Sequence, residues 1–343
     1  MKRIRAIILL VFSFYFLPSY AQLAGMTTMA VLDMPTSART AGLGMDFISM
    51  QGGGINAGLD NPSLISPNDT RRMALNYTAM LSGGSFGSVA YALDSKRFGT
   101  FLVSLRFNSY GRFTSYDEQE HWEGTFGAAD YQLGIGWGLK VDSAFSFGAT
   151  FKPVLSQYES YTAFTIAFDV AATYTAAEGR LSATALARNI GTQVVTMGVE
   201  PQKIPFELTA AVSYKMLRAP FRLFAAARHL QHWQIAYEDP LEPTTIRDPF
   251  TGEINSPGVL TQVLDNIGRH IDVGAEVYIG KMFFVDLGYS YRQAREMRSI
   301  EAFNLSAFSF GIGFRAKRIE FVYARNNYHL SQAPNHISLV YKF

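Results

Sequence analysis

The chain has 343 residues, 17% charged and 14% aromatic, with a formal net charge of +2 and a mean hydropathy of +0.05. A bundle of membrane helices needs about 20 consecutive apolar residues per span and would be far more hydrophobic, and a near-neutral chain gives no basic footprint for nucleic acid. Cysteine is absent, which excludes disulfides, thiolate metal sites, a cysteine nucleophile and lipidation of an amino-terminal cysteine.

The amino terminus carries Lys2, Arg3 and Arg5, then the apolar run Ala6 to Leu17, then Ser19 and Ala21. This order predicts a signal peptide over 1–21, with the mature chain starting at Gln22. The alternative, a signal anchor, would need a longer apolar run.

Residues 22–71 are rich in Gly and Met and lack sustained alternation. Thr36 or Ser37, following Pro35, is placed to cap a short helix, and Gly52-Gly53-Gly54 to interrupt structure. The expectation is a segment tucked inside the mouth of whatever the rest of the chain builds.

From Arg72 onward the chain reads as amphipathic strands. Phe101, Val103, Leu105 and Phe107 alternate with Thr100, Ser104, Arg106 and Asn108, and Tyr131, Leu133, Ile135, Trp137 and Leu139 with Asp130, Gln132, Gly134, Gly136 and Gly138. Fourteen such segments start near Arg72, Ser85, Phe98, Asp130, Ala144, Tyr161, Arg180, Pro205, Phe221, Arg269, Phe283, Ser306, Arg318 and His336. Short turns such as Asp94 to Arg97 and Gly280 to Met282 alternate with longer connections at Ser109 to Ala129, Pro153 to Ser160, Gly191 to Ile204, Gln231 to Gly268, Ala294 to Leu305 and Asn327 to Pro334. An even strand number with long connections at one end predicts an outer-membrane β-barrel over 72–343, both termini on the short-turn, periplasmic side. A soluble β-sandwich also alternates, but its strands are shorter and its outward face is polar. Inward glycines, Gly134, Gly136 and Gly138 among them, would leave room for residues 22–71 to lie against the wall.

The last strand places Ile337, Leu339, Tyr341 and Phe343 on one face. A terminal strand of this kind, ending on Tyr341 and Phe343, is what barrel-assembly machinery recognises.

Motifs for chemistry are missing. No His-Glu-x-x-His helix, phosphate-binding Gly-Lys-Ser/Thr loop or Ser-x-x-Lys occurs. Of six histidines only His229 and His232 are close, which reads as a surface pair and not a metal site. No catalytic, cofactor or metal residue is expected. Asp169, Glu207, Asp272, Glu276, Asp286, Arg292 and Arg315 are expected to face inward, either as a polar network that fixes the plug or lines a passage or, more simply, as solvated groups in a wet lumen. The longest connection carries Trp233, Tyr237, Asp239 and Phe250, rigid aromatic and turn residues suited to protein contact.

Pro35-Thr36-Ser37-Ala38-Arg39-Thr40-Ala41-Gly42-Leu43-Gly44, with Phe47-Ile48-Ser49 and Asn61-Pro62-Ser63-Leu64 behind it, resembles the PorV/PorQ group, more on its PorQ side. These are outer-membrane barrels of the type IX secretion system of Bacteroidetes, similar to FadL-type fourteen-stranded transporters. Met45 and Ser63 stand where the family pattern has a Gly and a small residue. The resemblance implies a non-enzymatic member of an attachment complex that handles cargo with C-terminal signal domains. Its implied partners are a PorZ-like surface protein, a sortase, a PorV-like barrel, and the lipid bilayer with lipopolysaccharide. Pro35, Ser37, Ala38, Arg39, Gly42, Gly44, Asn61 and Pro62 would then shape the plug. A FadL-like channel for hydrophobic small molecules is the alternative, and a barrel enzyme a third possibility without a motif behind it.

Overall fold

The computed structural model describes residues 29–44, 47–80, 83–95, 97–198, 200–236, 246–247, 254–255, 258–297, 306–326 and 333–343. The expected signal peptide over 1–21, and Tyr237, Asp239 and Phe250, lie outside these residues.

Fourteen strands close into one antiparallel barrel. In chain order they are β1 (Arg72–Ala79), β2 (Ser85–Ser95), β3 (Gly99–Tyr116), β4 (Trp122–Lys140), β5 (Phe145–Tyr158), β6 (Tyr161–Ala176), β7 (Leu181–Val195), β8 (Glu207–Lys215), β9 (Phe221–Ala227), β12 (Ile271–Ile279), β13 (Phe283–Ser290), β14 (Phe308–Arg315), β15 (Ile319–Arg325) and β16 (Asn335–Lys342). A two-stranded hairpin, β10 (Ile246–Arg247) and β11 (Ile254–Asn255), interrupts the series between β9 and β12. β16 pairs with β1 from Arg72↔Lys342 to Ala79↔Asn335, so the sheet has no free edge. In lipid that closure is obligatory, because an unpaired edge would leave backbone N–H and C=O groups without partners.

Alternation sets the two faces. Along β3 and β14, residues such as Leu105, Phe310 and Ile312 are half-exposed while their neighbours Ser104, Arg106, Ser309 and Gly311 are buried. The outer wall is therefore an apolar belt, and the polar side chains of the strands point into the lumen. In water such a belt would cost about 25 cal/mol for each Å² exposed, so the barrel is a transmembrane one. Phe343 lies at the foot of the closing strand, its ring 4.9 Å from that of Tyr341 and its N–H bonded to the carbonyl of Arg71.

Most strand starts fall within two residues of those expected, but β4 begins at Trp122, not near Asp130. The expected long connection from Ser109 to Ala129 is instead a tall hairpin, in which β3 and β4 stay paired up to Tyr116↔Trp122. Above the lipid both faces of this hairpin meet water, so the hydrogen-bond ladder continues after the hydrophobic alternation has ended. Likewise Pro153 to Tyr158 is strand, and only Glu159 and Ser160 make the turn between β5 and β6. The turns at the end where β1 begins are three to five residues long throughout. At the other end the long connections are confined to the β7–β16 side. Two of these contain helices, α3 (Val259–His270) and α4 (Tyr291–Glu296). Tyr291 and Arg292, which precede the connection expected from Ala294, open α4 because the Ser290 hydroxyl accepts the Gln293 N–H at 3.4 Å and caps a helix there.

Residues 29–44 and 47–71 run inside the barrel. They form α1 (Ala38–Gly42), α2 (Ile55–Asp60) and several single turns of 3₁₀ helix, packed against the inward faces of the strands. The core is divided accordingly into five small apolar clusters, each shared by this segment and the wall or lying between them; one joins Met29, Val31 and Leu32 to Val154, Ala163 and Ala167.

Candidate functional site

The interior segment is shaped by local bonds that its sequence carries. Ser37 caps α1, its hydroxyl accepting the Thr40 N–H at 3.2 Å. Asn61 caps the turn that follows, its Oδ1 accepting the Ser63 N–H at 2.9 Å while Pro62 takes the first helical position, where no N–H is needed. The Asn61 amide also donates to the Ile48 carbonyl at 2.5 Å, and the Ser63 hydroxyl meets that of Thr173 on β6 at 2.6 Å. Gly42 and Gly44 let the end of α1 approach the wall closely: a Cβ on Gly42 would lie 3.1 Å from Gly311, and Gly44 has φ +82°. Pro35 stands just before α1, and the Ala38 N–H donates to the Ser338 hydroxyl of β16 at 2.8 Å.

Arg39 is the electrostatic centre of the interior. Its side chain is 1% exposed and donates to Glu276 of β12. Its Nε lies 3.9 Å from Asp286 of β13, its Nη1 3.8 Å from Glu320 of β15, and its guanidinium carbon 4.5 Å above the Phe284 ring. Glu276 and Asp286 face each other directly across the β12–β13 ladder, and both are fully buried. Two carboxylates in that position repel unless a cation enters between them, and the interior segment provides it. Tyr278 donates to Glu276 at 2.5 Å and Arg315 to Glu320 at 2.7 Å. Burial alone would lower the pKa of Arg39, but Glu276, Asp286 and Glu320 together raise it, so the guanidinium stays charged.

Several other inward charges are paired as well. Lys152 meets Asp169 at 2.6 Å, and Arg228 grips both oxygens of Glu207 at 2.7 and 3.1 Å. Asp272 lies 3.9 Å from Arg228. Of the inward charges named from the sequence, Asp169, Glu207, Asp272, Glu276 and Asp286 are thus buried beside cations of the wall or the segment, whereas Arg315, paired with Glu320, is 40% exposed and Arg292 stands on α4. His229 is not a surface residue: burial lowers its pKa to about 3, and as a neutral ring it accepts a bond from Arg292 at 2.8 Å. Among the described residues no group of three or more His, Asp or Glu side chains is arranged to hold a metal ion.

Asp60 closes the segment on itself, its carboxylate accepting from Thr36 at 2.6 Å and Thr40 at 2.5 Å. Burial raises its pKa, against the pull of Arg188, of these two hydroxyls and of Arg106. A carboxyl with a raised folded pKa takes up its proton at higher pH in the folded state than in the unfolded one. Its ionisation therefore weakens the fold as pH rises from the unfolded value through the folded one. Seating of the segment is expected to tighten as pH falls across that window, measured as protease resistance. Asp60→Asn should lose that dependence, and an unchanged profile in the variant would rule Asp60 out as its source.

Between the segment and β3–β7 lies a cavity of about 40 Å³, lined by Thr36, Asp60, Arg106, Lys152, Asp169 and Arg188 among others. Its lining is largely polar. Trp233, on the connection after β9, is 68% exposed; its carbonyl accepts from Asn266 and its ring stacks on His270 at 6.2 Å.

Sequence reasoning singled out Arg39 and, separately, Glu276 and Asp286. It did not bring them together, and it missed Thr36 and Thr40 as partners of Asp60. The available signal was two inward carboxylates at the centres of neighbouring strands, which demand a buried cation from elsewhere in the chain.

No family model matches the sequence, and no curated protein matches it. Solved structures do. The toluene transporter TodX of Pseudomonas putida is 12% identical, covers 91% of this chain and 98% of its own, and superposes with a TM-score of 0.56. A Pseudomonas aeruginosa FadL homologue is 11% identical with coverages of 90% and 98% and a TM-score of 0.51. The CymD monoaromatic hydrocarbon channel is 10% identical with coverages of 92% and 99% and a TM-score of 0.50. This chain thus has the fold of FadL-like outer-membrane barrels over nearly its whole length.

Proposed function

We propose that this chain is a non-enzymatic outer-membrane barrel that works as a rigid docking base for protein export. In this reading the turns at the β1 end are periplasmic and the long connections are extracellular. The partner held there is a surface protein of the PorZ kind, in a type IX attachment complex with a sortase and a PorV-like barrel. The observation that carries the proposal is the filled interior: the lumen segment is bonded to strands around the wall, and the cavity beside it is small and lined by polar and charged side chains. The motif from Pro35 to Gly44, which prompts the type IX resemblance, supplies the buried Arg39 of that packing. Trp233, with Tyr237, Asp239 and Phe250 on the same connection, is the proposed contact region. Affinity purification of the full-length protein from its native outer membrane is expected to bring down a surface protein. Deletion of the chain should leave cargo with C-terminal signal domains unattached. Normal cargo attachment in the deletion would sink the proposal.

A second reading is a channel for hydrophobic small molecules, and the structural comparisons favour it. TodX and CymD are described as a toluene transporter and a monoaromatic hydrocarbon channel. Passage would require the segment around Arg39 to shift and open a path through the packed lumen. Uptake of toluene into liposomes holding the purified barrel, above that of empty liposomes, would support this reading, and uptake equal to that of empty liposomes would exclude it.

A further inference from the structure

Arg39 answers carboxylates on β12, β13 and β15, and across the barrel the wall carries the opposite sign. Arg106 of β3, Lys152 of β5 and Arg188 of β7 all line the polar cavity beside the interior segment. Neighbouring strands lie about 4.8 Å apart, so these side chains converge on one space from about 19 Å of wall. Cations gathered in this way repel one another unless anions stand among them.

The carboxylates at the cavity do not match the cations in number. Asp169 is committed to Lys152 at 2.6 Å, where the Asn189 amide oxygen accepts as well. Asp60, from the interior segment, accepts from Thr36 and Thr40 and lies within the field of both Arg106 and Arg188. Asp33 also lines the cavity but is exposed to solvent. Three cations thus face two buried carboxylates, a surplus of one positive charge.

The surplus is most evident at Arg188. Its Nη1 lies 3.9 Å from Glu207 Oε2, too far for a hydrogen bond, and that oxygen already accepts from Arg228 at 3.1 Å. Its Nη2 is buried and makes no hydrogen bond within the protein. A buried guanidinium N–H without an acceptor is costly, and the cavity is the space beside it.

We propose that this cavity binds a small monovalent anion, chloride in ordinary media, between Arg106 and Arg188. There it balances the surplus charge and pins the interior segment to the β3–β7 side, as Arg39 pins it to the β12–β15 side. One negative charge equals the surplus, whereas a phosphate would set excess charge against Asp60 and Asp169. A volume of about 40 Å³ suits an atomic ion and leaves no place for a hydrocarbon body. A water molecule could accept from Arg188 but would leave the charge unbalanced. The site stands whether the protein acts as a docking base or as a channel.

Crystals of the full-length barrel grown with bromide as the sole halide test the position directly. An anomalous peak in contact with Arg106 and Arg188 is expected. In solution, limited proteolysis is compared in sodium chloride and in sodium gluconate of equal ionic strength, gluconate being too large for the cavity. At chloride ten times its Kd, cleavage within 29–71 should be about tenfold slower than in gluconate, because the anion binds only while the segment is seated. Arg188→Gln should be cleaved at the same rate in both salts. Arg318→Gln, at an exposed arginine of the β14–β15 turn, should behave as wild type. If Arg188→Gln does not reach folded gel mobility, Arg106→Gln takes its place. Density in the cavity without an anomalous signal overturns the proposal, as does a chloride effect that survives in the cavity variant. A bromide peak with no chloride effect in solution would mean binding at crystal concentration only, and overturns it too.

Discussion

Arg39→Ala is expected to destabilise the closed interior by about 3–5 kcal/mol, the cost of leaving buried carboxylates without their cation. The reason lies in the register, which sets Glu276 directly opposite Asp286, with Arg39 reaching both and Glu320 beside them. The strands keep their ladder in the variant, so the barrel should remain closed while the interior segment loosens. Limited proteolysis of the folded protein should therefore cut within 29–71 much faster than in wild type. Adding Glu276→Gln and Asp286→Asn to Arg39→Ala should recover part of the loss, because neutral amides in the same places no longer repel. Arg39→Lys should not restore wild-type behaviour, since a single ammonium cannot reach three carboxylates on separate strands as a guanidinium fork does. Wild-type protease resistance in Arg39→Ala would remove the ion cluster from the account of how the lumen is kept shut.

A second large effect is expected at Gly148, on the inward face of β5. A Cβ there would lie 2.2 Å from the carbonyl carbon of Pro62 and 2.4 Å from its oxygen. Both atoms are backbone, so no side chain can rotate out of the way. Gly148→Val should push the Asn61 to Ser63 turn off the wall and break the bonds from Asn61 to Ile48 and from Ser63 to Thr173. Overpacking of this kind costs about 1–3 kcal/mol, before those bonds are counted. The expected readout is faster cleavage within 61–65 in a barrel that still shows folded gel mobility. Gly198→Val is the control, because nothing lies within 4 Å of a Cβ at that position. Equal behaviour of the two variants would show that contact between the turn and β5 does not seat the segment.

Both predictions concern contacts between residues far apart in the chain, and this separates what could be read from the sequence from what could not. Each strand crossing the belt must offer an apolar side chain at every second position, so the pattern is local and repeats fourteen times. The same holds for Ser37 and Asn61, whose caps act within three residues and are visible as residue types in order. Gly134, Gly136 and Gly138 read as space for the interior segment, and here the outcome is divided. At Gly138 a Cβ would meet Ile65 and Pro62 backbone, and at Gly136 the Ile65 side chain, but at Gly134 it would meet only the wall, at Ser104 and Gln132. The height of the β3–β4 hairpin escaped notice for the converse reason. Once both faces meet water, pairing leaves no periodic trace in hydrophobicity.

By itself, then, the sequence determined that this chain crosses a bilayer as a fourteen-stranded barrel and that the described residues between Met29 and Arg71 do not belong to the wall. Lipid and lumen impose those features residue by residue, within the span of single strands. Only the tertiary structure decided that Arg39 meets Glu276, 237 positions away, and that the lumen beside it is packed. Which strands lie side by side, and in what register, is fixed by closure of the whole sheet, and no local pattern of residue types encodes it.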